Sequence, residues 1–462
     1  MSANRPRLFL SATRKSSGKT VVTIGLAAAL ARRGLKVQTF KKGLDFIDPM
    51  WHGRASGVAC RNLDPYIMGM EGTQSAFLRY SAEADISLIE GNMGYFDGQD
   101  LEGADSSAAL AEALQAPALL IVDCKGMARG VAPLVRGHLD FPGGGAAIGG
   151  VILNHVASLR HEKRLRAALA RFTAVPVLGA IPRSAAVAID ERHLGLVPVG
   201  ERDELREVIG AAADRAEEYL DLEAILVLAR GVKAPGYAQQ AAPVLASSGE
   251  KIRVAYAADR AFNFYYPDNL EALASVGVEM VPVDFLNDRR LPDVAGLFIG
   301  GGFPEMFMER LTGNSELMGT IRRQAEDGLP IYAECGGLMA LSERLRWDGK
   351  EAKMIGALPI DVSMFRKPQG YGYMALEGSG QGPWLAKGEV ARCHEFHYSR
   401  VTRLGEGTRF AYKVQRGFGV DGSHDGLLYR NIWASYAHIH VAGSPGWAEA
   451  LRRFWRGGVH VC

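Results

Sequence analysis

Short apolar runs rich in β-branched residues alternate with longer stretches of helical period through the first half of the chain. Arg7–Leu10 predicts a strand, Thr20–Arg33 a helix stopped at Gly34, and Lys36–Phe40 the next strand. Ile86–Ile89, Ala118–Val122 and Gly149–Leu153 read as further buried strands, with helical segments such as Ser107–Leu114 and His161–Phe172 between them. Apolar strands separated by helices predict a parallel sheet covered on both faces. Leu205–Leu228 predicts one or two amphipathic helices that close this unit.

From Ala229 to Glu250 no period survives, and the glycine, proline and small residues there predict a linker. The alternation then restarts: strand Ile252–Tyr256, helix Asn269–Val276, strands Glu279–Val283 and Gly296–Ile299, helix Ser315–Glu326, strand Pro330–Ala333. Beyond Ile355 the pattern turns to alternating positions with many Gly and Tyr, as in antiparallel strands. The expected fold is α/β in two domains, 1–230 and 251–462, joined by 231–250.

Composition narrows the class of function. The 462 residues carry 53 basic and 51 acidic side chains, a formal net charge of +2. Such a balance offers no global attraction to nucleic acid or to an anionic membrane. Apolar residues at 48% and charged ones at 23% are ordinary for a globular protein. No apolar run approaches the roughly 18 residues of a membrane helix. The run ending at Leu10 is too short for a signal-peptide core. Five scattered cysteines without a Cys-x-x-Cys argue against a disulfide framework or structural zinc, and point to a reducing cytoplasm.

Residues 13–20 read Thr-Arg-Lys-Ser-Ser-Gly-Lys-Thr, between the first strand and the first helix. In that position Ser16, Ser17 and Gly18 can turn backbone N–H groups toward phosphates, Lys19 can reach the β/γ-phosphates, and the Thr20 hydroxyl can meet Mg²⁺. Thr13 stands where a phosphate loop normally has its first glycine. Two acidic clusters follow later strands: Asp45 and Asp48 within 41–49, and Glu90 with Asp97 within 89–98. Carboxylates at the C-terminal ends of parallel strands lie on the rim where open sheets bind ligands. Glu90 is well placed to hold Mg²⁺ opposite Thr20.

The second half carries a different chemistry. Gly300-Gly-Gly-Phe-Pro-Glu305 follows one expected strand and Glu334-Cys335-Gly336-Gly337 the next. A cysteine between a buried strand and a Gly-Gly turn resembles a nucleophile turn, its thiolate favoured by the helix start and exposed by the tight bend. The N–H groups of Gly336 and of the 300–302 loop, Gly301 in particular, can form an oxyanion hole. His438 and His440 offer a base from one face of a strand. His394 and His397, three apart, fit neither helical nor strand metal spacing, and read as substrate contacts or structure.

Together these residues resemble the cobyrinate a,c-diamide synthase family. The likeness spans nearly the whole chain: 16–20, 43–49, Arg61 to Asp64, 90–94 with Asp97 and Gly98, Ile152 to Asn154, 300–305, 334–337, 394–399 and 436–440. It implies a P-loop ATPase domain of dethiobiotin-synthetase type fused to a class I glutamine amidotransferase domain. It further implies that Cys335 attacks the glutamine amide with His438 as base, and that released ammonia passes between the domains. Lys19 and Thr20 would hold ATP and Mg²⁺, Asp48 and Glu90 would complete the metal environment, Asn154 would read adenine, and Asp45 and Asp97 would flank the substrate carboxylate. His440 stands where many class I amidotransferases have the glutamate of their triad, which leaves the acidic partner of His438 open.

Lys42, Met50-Trp51 and Ala12-Thr-Arg-Lys15 depart from the family's usual residues and look more like a branch amidating sirohydrochlorin or sirohaem. Lys42 and Trp51 are therefore candidate substrate contacts. The expected partners are ATP, glutamine and a tetrapyrrole carboxylate, without nucleic acid or membrane, and a homodimer is compatible with all of this. Two rival classes stand beside this reading. A partition-type or metal-delivery ATPase would share the phosphate loop without needing Cys335. A non-catalytic tetrapyrrole-binding protein would need none of Cys335, His438, Lys19 and Glu90.

Overall fold

The computed structural model of the chain describes residues 4–142, 145–183, 191–192, 195–196, 202–238 and 250–457. It is an α/β protein of two compact units, Met1–Ala241 and Ala242–Cys462. Much of the expected linker, residues 239–249, lies outside the described residues, as does Cys462. Among the described residues no helix is long and apolar enough to cross a membrane.

The first unit is a seven-stranded sheet, all parallel, in the spatial order Arg61–Leu63, Val37–Lys42, Ile86–Glu90, Arg7–Ala12, Ala118–Asp123, Ile148–Val156, Val177–Pro182. The strands Arg7–Ala12, Ile86–Glu90 and Ala118–Asp123 are buried along their whole length, which is why they read as continuous apolar runs. The phosphate-loop segment bends from the central strand into the helix Lys19–Arg32. The expected pair of closing helices is Arg202–Tyr219 and Leu222–Arg230, the second capped by Asp221 accepting from Ala224 N at 3.0 Å. Ala229 thus lies inside the helix that ends at Arg230 and does not begin a linker.

Three local expectations are corrected. The second strand runs Val37–Lys42, so Lys41 and Lys42 belong to it and point to opposite faces. Residues 47–56, for which the sequence predicted no element, form the helix Ile47–Ser56. Asp45 Oδ1 accepts from Ile47 N at 2.8 Å, Pro49 sits in the first turn where its missing N–H costs nothing, and Gly57 ends the helix at φ 75°. The helices Pro65–Tyr80 and Val131–Asp140 and the strands Arg61–Leu63 and Val177–Pro182 were not expected. Asp64 caps the first of these helices through Ile67 N at 3.0 Å, with Pro65 at its start.

The second unit is built on a nine-stranded mixed sheet. Val278–Val283, Ile252–Ala257, Gly296–Ile299, Ile331–Glu334 and Ile432–Ser435 are parallel neighbours in that order. The antiparallel strands His424–Tyr429, Arg409–Arg416, Gly370–Gly378 and Val390–His397 extend it. Alternate residues feed two cores. Ala255, Leu297 and Ile331 pack on one side, while Val254, Phe298 and Tyr332 pack on the other against Trp433, Trp447 and Trp455. Both cores press on the parallel strand ends from which the chemistry projects.

Candidate active site

In the first unit the phosphate loop is braced from the next strand but one. Gly18 has φ 86°, and a Cβ there would lie 2.3 Å from Asn154 Nδ2. Asn154, inside the strand Ile148–Val156 and not after it, donates through Nδ2 to the Ser17 carbonyl at 2.9 Å. Ser16, at φ 58°, belongs to the same turn. A pocket beside it is lined by Gly18, Val21, Asn154, His155, Pro182 and Arg215.

Lys19 is buried and its Nζ donates to the Met93 carbonyl. Burial pushes its pKa down to about 8 against the pull of Glu90. Thr20 Oγ1 lies 3.1 Å from Glu90 Oε1 and 3.4 Å from Asp48 Oδ2. Lys41 Nζ bridges the two carboxylates, at 2.5 Å from Asp48 and 2.6 Å from Glu90, and His52 Nε2 lies 2.8 Å from the other Glu90 oxygen. Burial alone would raise the pKa of Glu90, but Lys41 and His52 hold it well below the ordinary value.

This oxygen set fits Mg²⁺. Among the described residues no three His, Cys, Asp or Glu side chains form a metal cluster. Mg²⁺ held with a nucleotide needs only one or two carboxylates, a hydroxyl and the phosphates themselves. The Thr20 hydroxyl lies within 3.4 Å of one oxygen of each carboxylate, so a hydroxyl and two carboxylate oxygens stand together beside the loop.

Asp45 and Asp97 lie at the edges of this cluster. Burial and the neighbouring Asp48 raise the Asp45 pKa to about 7, and Asn62 fixes the loop by donating to the carbonyls of Gly43 and Asp45, both at 2.8 Å. Asp97 Oδ2 accepts from Gly94 N at 2.9 Å, and its charge acts on Lys19. Lys42, on the opposite face of its strand from Lys41, is buried, and its strongest opposite charge is Asp64. Trp51 is buried on the helix Ile47–Ser56. Neither side chain is presented to solvent.

In the second unit Cys335 breaks from its strand at φ 45°, ψ −98°, a conformation that a side chain rarely adopts. Its N–H donates to the Ser435 carbonyl at 2.7 Å, tying the turn to the neighbouring strand end. The thiol is not the exposed, acidified group expected from the sequence. It is 5% exposed, and burial followed by the charge of Glu305 pushes its pKa up. The helix behind it, Gly336–Leu341, is too short to reverse that. A thiol held protonated in this way requires a base.

The glycines allow the parts to touch. A Cβ on Gly301 would lie 2.5 Å from His438 Cε1, one on Gly336 would lie 2.8 Å from Gly302 N, and one on Gly337 would lie 2.1 Å from the Ile299 carbonyl oxygen. Tyr265 holds the glycine loop in place, accepting from Gly300 N at 2.8 Å and donating to the Ala257 carbonyl at 2.6 Å. The 300–302 loop, the cysteine turn and His438 therefore form one packed group. A methyl group at Gly301 would meet the His438 ring and displace it.

The two histidines do not share a strand face. The strand ends at Ser435, because Tyr436 N and Ala437 N donate to the buried Asp425 carboxylate, both at 3.0 Å, and not to a neighbouring strand. His438 exchanges backbone hydrogen bonds with His394, whose ring stacks on its own at 5.0 Å. Its Nδ1 lies 3.4 Å from Glu334 Oε2. His440 Nδ1 accepts from Ala442 N at 3.2 Å, and its ring packs on Tyr266. His397 stacks on Tyr436 at 3.8 Å and contacts Glu395 and the Ser399 carbonyl.

Lys41, His52 and Glu334 are the polar groups of the two sites to which sequence reasoning assigned no role. Lys41 and Glu334 lay inside quoted motifs. The alternation rule sets Glu334 on the face away from Cys335, until the positive φ at Cys335 ends the alternation.

Residues 9–197 match the family described as CobQ/CobB/MinD/ParA nucleotide binding domain, and residues 253–446 the one described as CobB/CobQ-like glutamine amidotransferase domain. A cobyrinate a,c-diamide synthase of Magnetococcus marinus is 59% identical over 98% of this chain and 97% of its own. Those of Syntrophotalea carbinolica and Archaeoglobus fulgidus are 40% and 38% identical, over 98% and 97% of this chain and 99% and 96% of theirs.

Proposed function

Because the chain belongs to the cobyrinate a,c-diamide synthase family, we propose that it amidates the a and c carboxylates of cobyrinic acid with ATP and glutamine. Membership makes it a glutamine-hydrolysing carbon–nitrogen ligase that uses ATP. A partition-type or metal-delivery ATPase and a non-catalytic binding protein are thereby set aside.

In the second unit the Cys335 thiol gives its proton to His438 and its sulfur attacks the side-chain amide carbon of glutamine. The amide nitrogen leaves as ammonia with that proton, and water then releases glutamate from the thioester. Gly301 and Gly336 stabilise the oxyanion through their N–H groups.

In the first unit an oxygen of the substrate carboxylate attacks the γ-phosphorus of ATP, and ADP leaves. Ammonia adds to the carbonyl carbon of the acyl phosphate, and phosphate leaves. A free carboxylate would not react with ammonia near neutral pH, so phosphorylation supplies the leaving group. Ser16, Ser17 and Gly18 cradle the phosphates, Lys19 neutralises charge on the transferring group, and Asn154, its Nδ2 engaged with Ser17, offers its oxygen to the adenine amino group. Thr20, Asp48 and Glu90 would hold Mg²⁺, which supplies further charge neutralisation on the phosphates. Asp45 and Asp97 orient the carboxylate and its ammonia. The observation that carries this reading is the convergence of Thr20, Asp48, Glu90 and Lys41 behind the phosphate loop in a chain that also packs the Cys335 turn and His438 against one glycine loop.

A second reading, amidation of sirohydrochlorin or sirohaem, is favoured by Lys42 and Trp51. Lys42 with its charge shared by Asp64 is a weak reader of a peripheral carboxylate, so cobyrinic acid is expected to win a direct competition with products resolved by mass. Lys42→Val with Trp51→Phe should then slow both substrates alike. Predominance of the siro-type product in the wild type, eroded selectively by the double change, would establish the second reading instead.

A further inference from the structure

We propose that Glu334, the residue directly before the nucleophile, is the positioning residue that orients His438 and balances its charge during glutamine hydrolysis. The proposal rests on the reading of Cys335 and His438 as nucleophile and base, and names a third group that this reading left open.

The geometry brings a carboxylate to the base. Glu334 Oε2 faces His438 Nδ1 at 3.4 Å, with both side chains about fully buried at 2–3% exposure. The carboxylate cannot swing away, because Tyr332 donates its hydroxyl to the other oxygen at 2.8 Å and Ile439 N lies 3.5 Å from that same oxygen. The imidazole is equally confined, with His394 stacked on its face and Gly301 against Cε1. A 3.4 Å separation is long for a hydrogen bond, as such contacts often are before substrate tightens them.

The placement explains why the acid is needed here and not two residues past the base. When the thiol proton passes to His438, an imidazolium forms in a site closed to water. An uncompensated buried cation there would carry a large desolvation cost. Glu334 offsets it at Nδ1 and fixes the tautomer that leaves Nε2 to exchange the thiol proton. His440 cannot take this part. Its Nδ1 is the acceptor that caps the turn Val441–Gly443, and an imidazole that accepts at one nitrogen brings no negative charge.

Glu334→Gln keeps the shape and the Tyr332 hydrogen bond but turns an amide N–H₂ toward Nδ1, which selects the wrong tautomer. The glutaminase kcat should fall by about 10²–10⁴-fold, with the KM for glutamine within about threefold and ammonia-driven synthesis unchanged. Glu334→Asp should recover part of the lost kcat, which a merely structural role would not. His440→Asn, which keeps an acceptor at the cap, should stay within about threefold of wild type. A wild-type kcat in Glu334→Gln, or a loss that follows His440→Asn, would overturn the proposal. Cys335→Ala assayed in parallel separates the two levels: were it still to use glutamine, the underlying nucleophile reading would fail, whatever Glu334 does.

Discussion

Cys335→Ala abolishes amide formation from glutamine, by on the order of 10⁴-fold or more, and leaves formation from free ammonia close to wild type. The expectation follows from where the two chemistries lie. Cys335, His438 and the glycine loop belong to the second unit, while the phosphate loop and its carboxylates belong to the first. Removing the sulfur leaves the backbone turn intact, since the strain at φ 45° is set by Gly336, Gly337 and the Ser435 hydrogen bond and not by the side chain. Synthesis measured with each nitrogen source in turn reads the outcome. Equal loss with both sources would show that Cys335 does something other than release ammonia.

Lys19→Ala removes synthesis with either nitrogen source, by at least about 10²–10³-fold, while slow glutamine hydrolysis at Cys335 persists. Lys19 is the cation beside the loop, and two features make its loss costly. Its burial means that no solvent ion replaces the charge, and its Nζ is bound to the Met93 carbonyl, which loses a donor in the variant. Lys41 does not substitute for it, being committed to Asp48 and Glu90. Unaltered ATP turnover in this variant would overturn the phosphate-loop reading. A variant defective in glutamine hydrolysis but not in ammonia-driven synthesis would place Lys19 in the wrong reaction.

Periodicity marked the strands that matter most because they are buried on both faces. Arg7–Ala12, Ile86–Glu90, Ala118–Asp123, Gly296–Ile299 and Ile331–Glu334 have little room for polar residues, so their apolar runs stand out. Motif residues that sit at the ends of such strands were legible for the same reason: Glu90 ends one, and Cys335 follows another. The helix Ile47–Ser56 was not legible. Its Pro49 and the two acids before it, Asp45 and Asp48, are turn residues by composition, and only the hydrogen bond that Asp45 accepts from Ile47 N shows that they open a helix.

By itself the sequence determined the two α/β halves, the order of their strands along the chain, and the short motifs whose spacing is local: Gly18-Lys19-Thr20, the acid after each strand, and the cysteine before a glycine pair. Tertiary structure alone decided which charges meet across sequence separations that no periodicity spans. Lys41 reaches Glu90, 49 residues on, because their strands are neighbours in the sheet. Glu334 reaches His438, 104 residues on, because the strand carrying it pairs with the one that leads to His438. It also decided the ionisation of the site: burial lowers Lys19, raises Asp45 and raises Cys335, each against its ordinary value. Desolvation depends on what surrounds a group in three dimensions, and the order of residues along the chain does not contain that information in readable form.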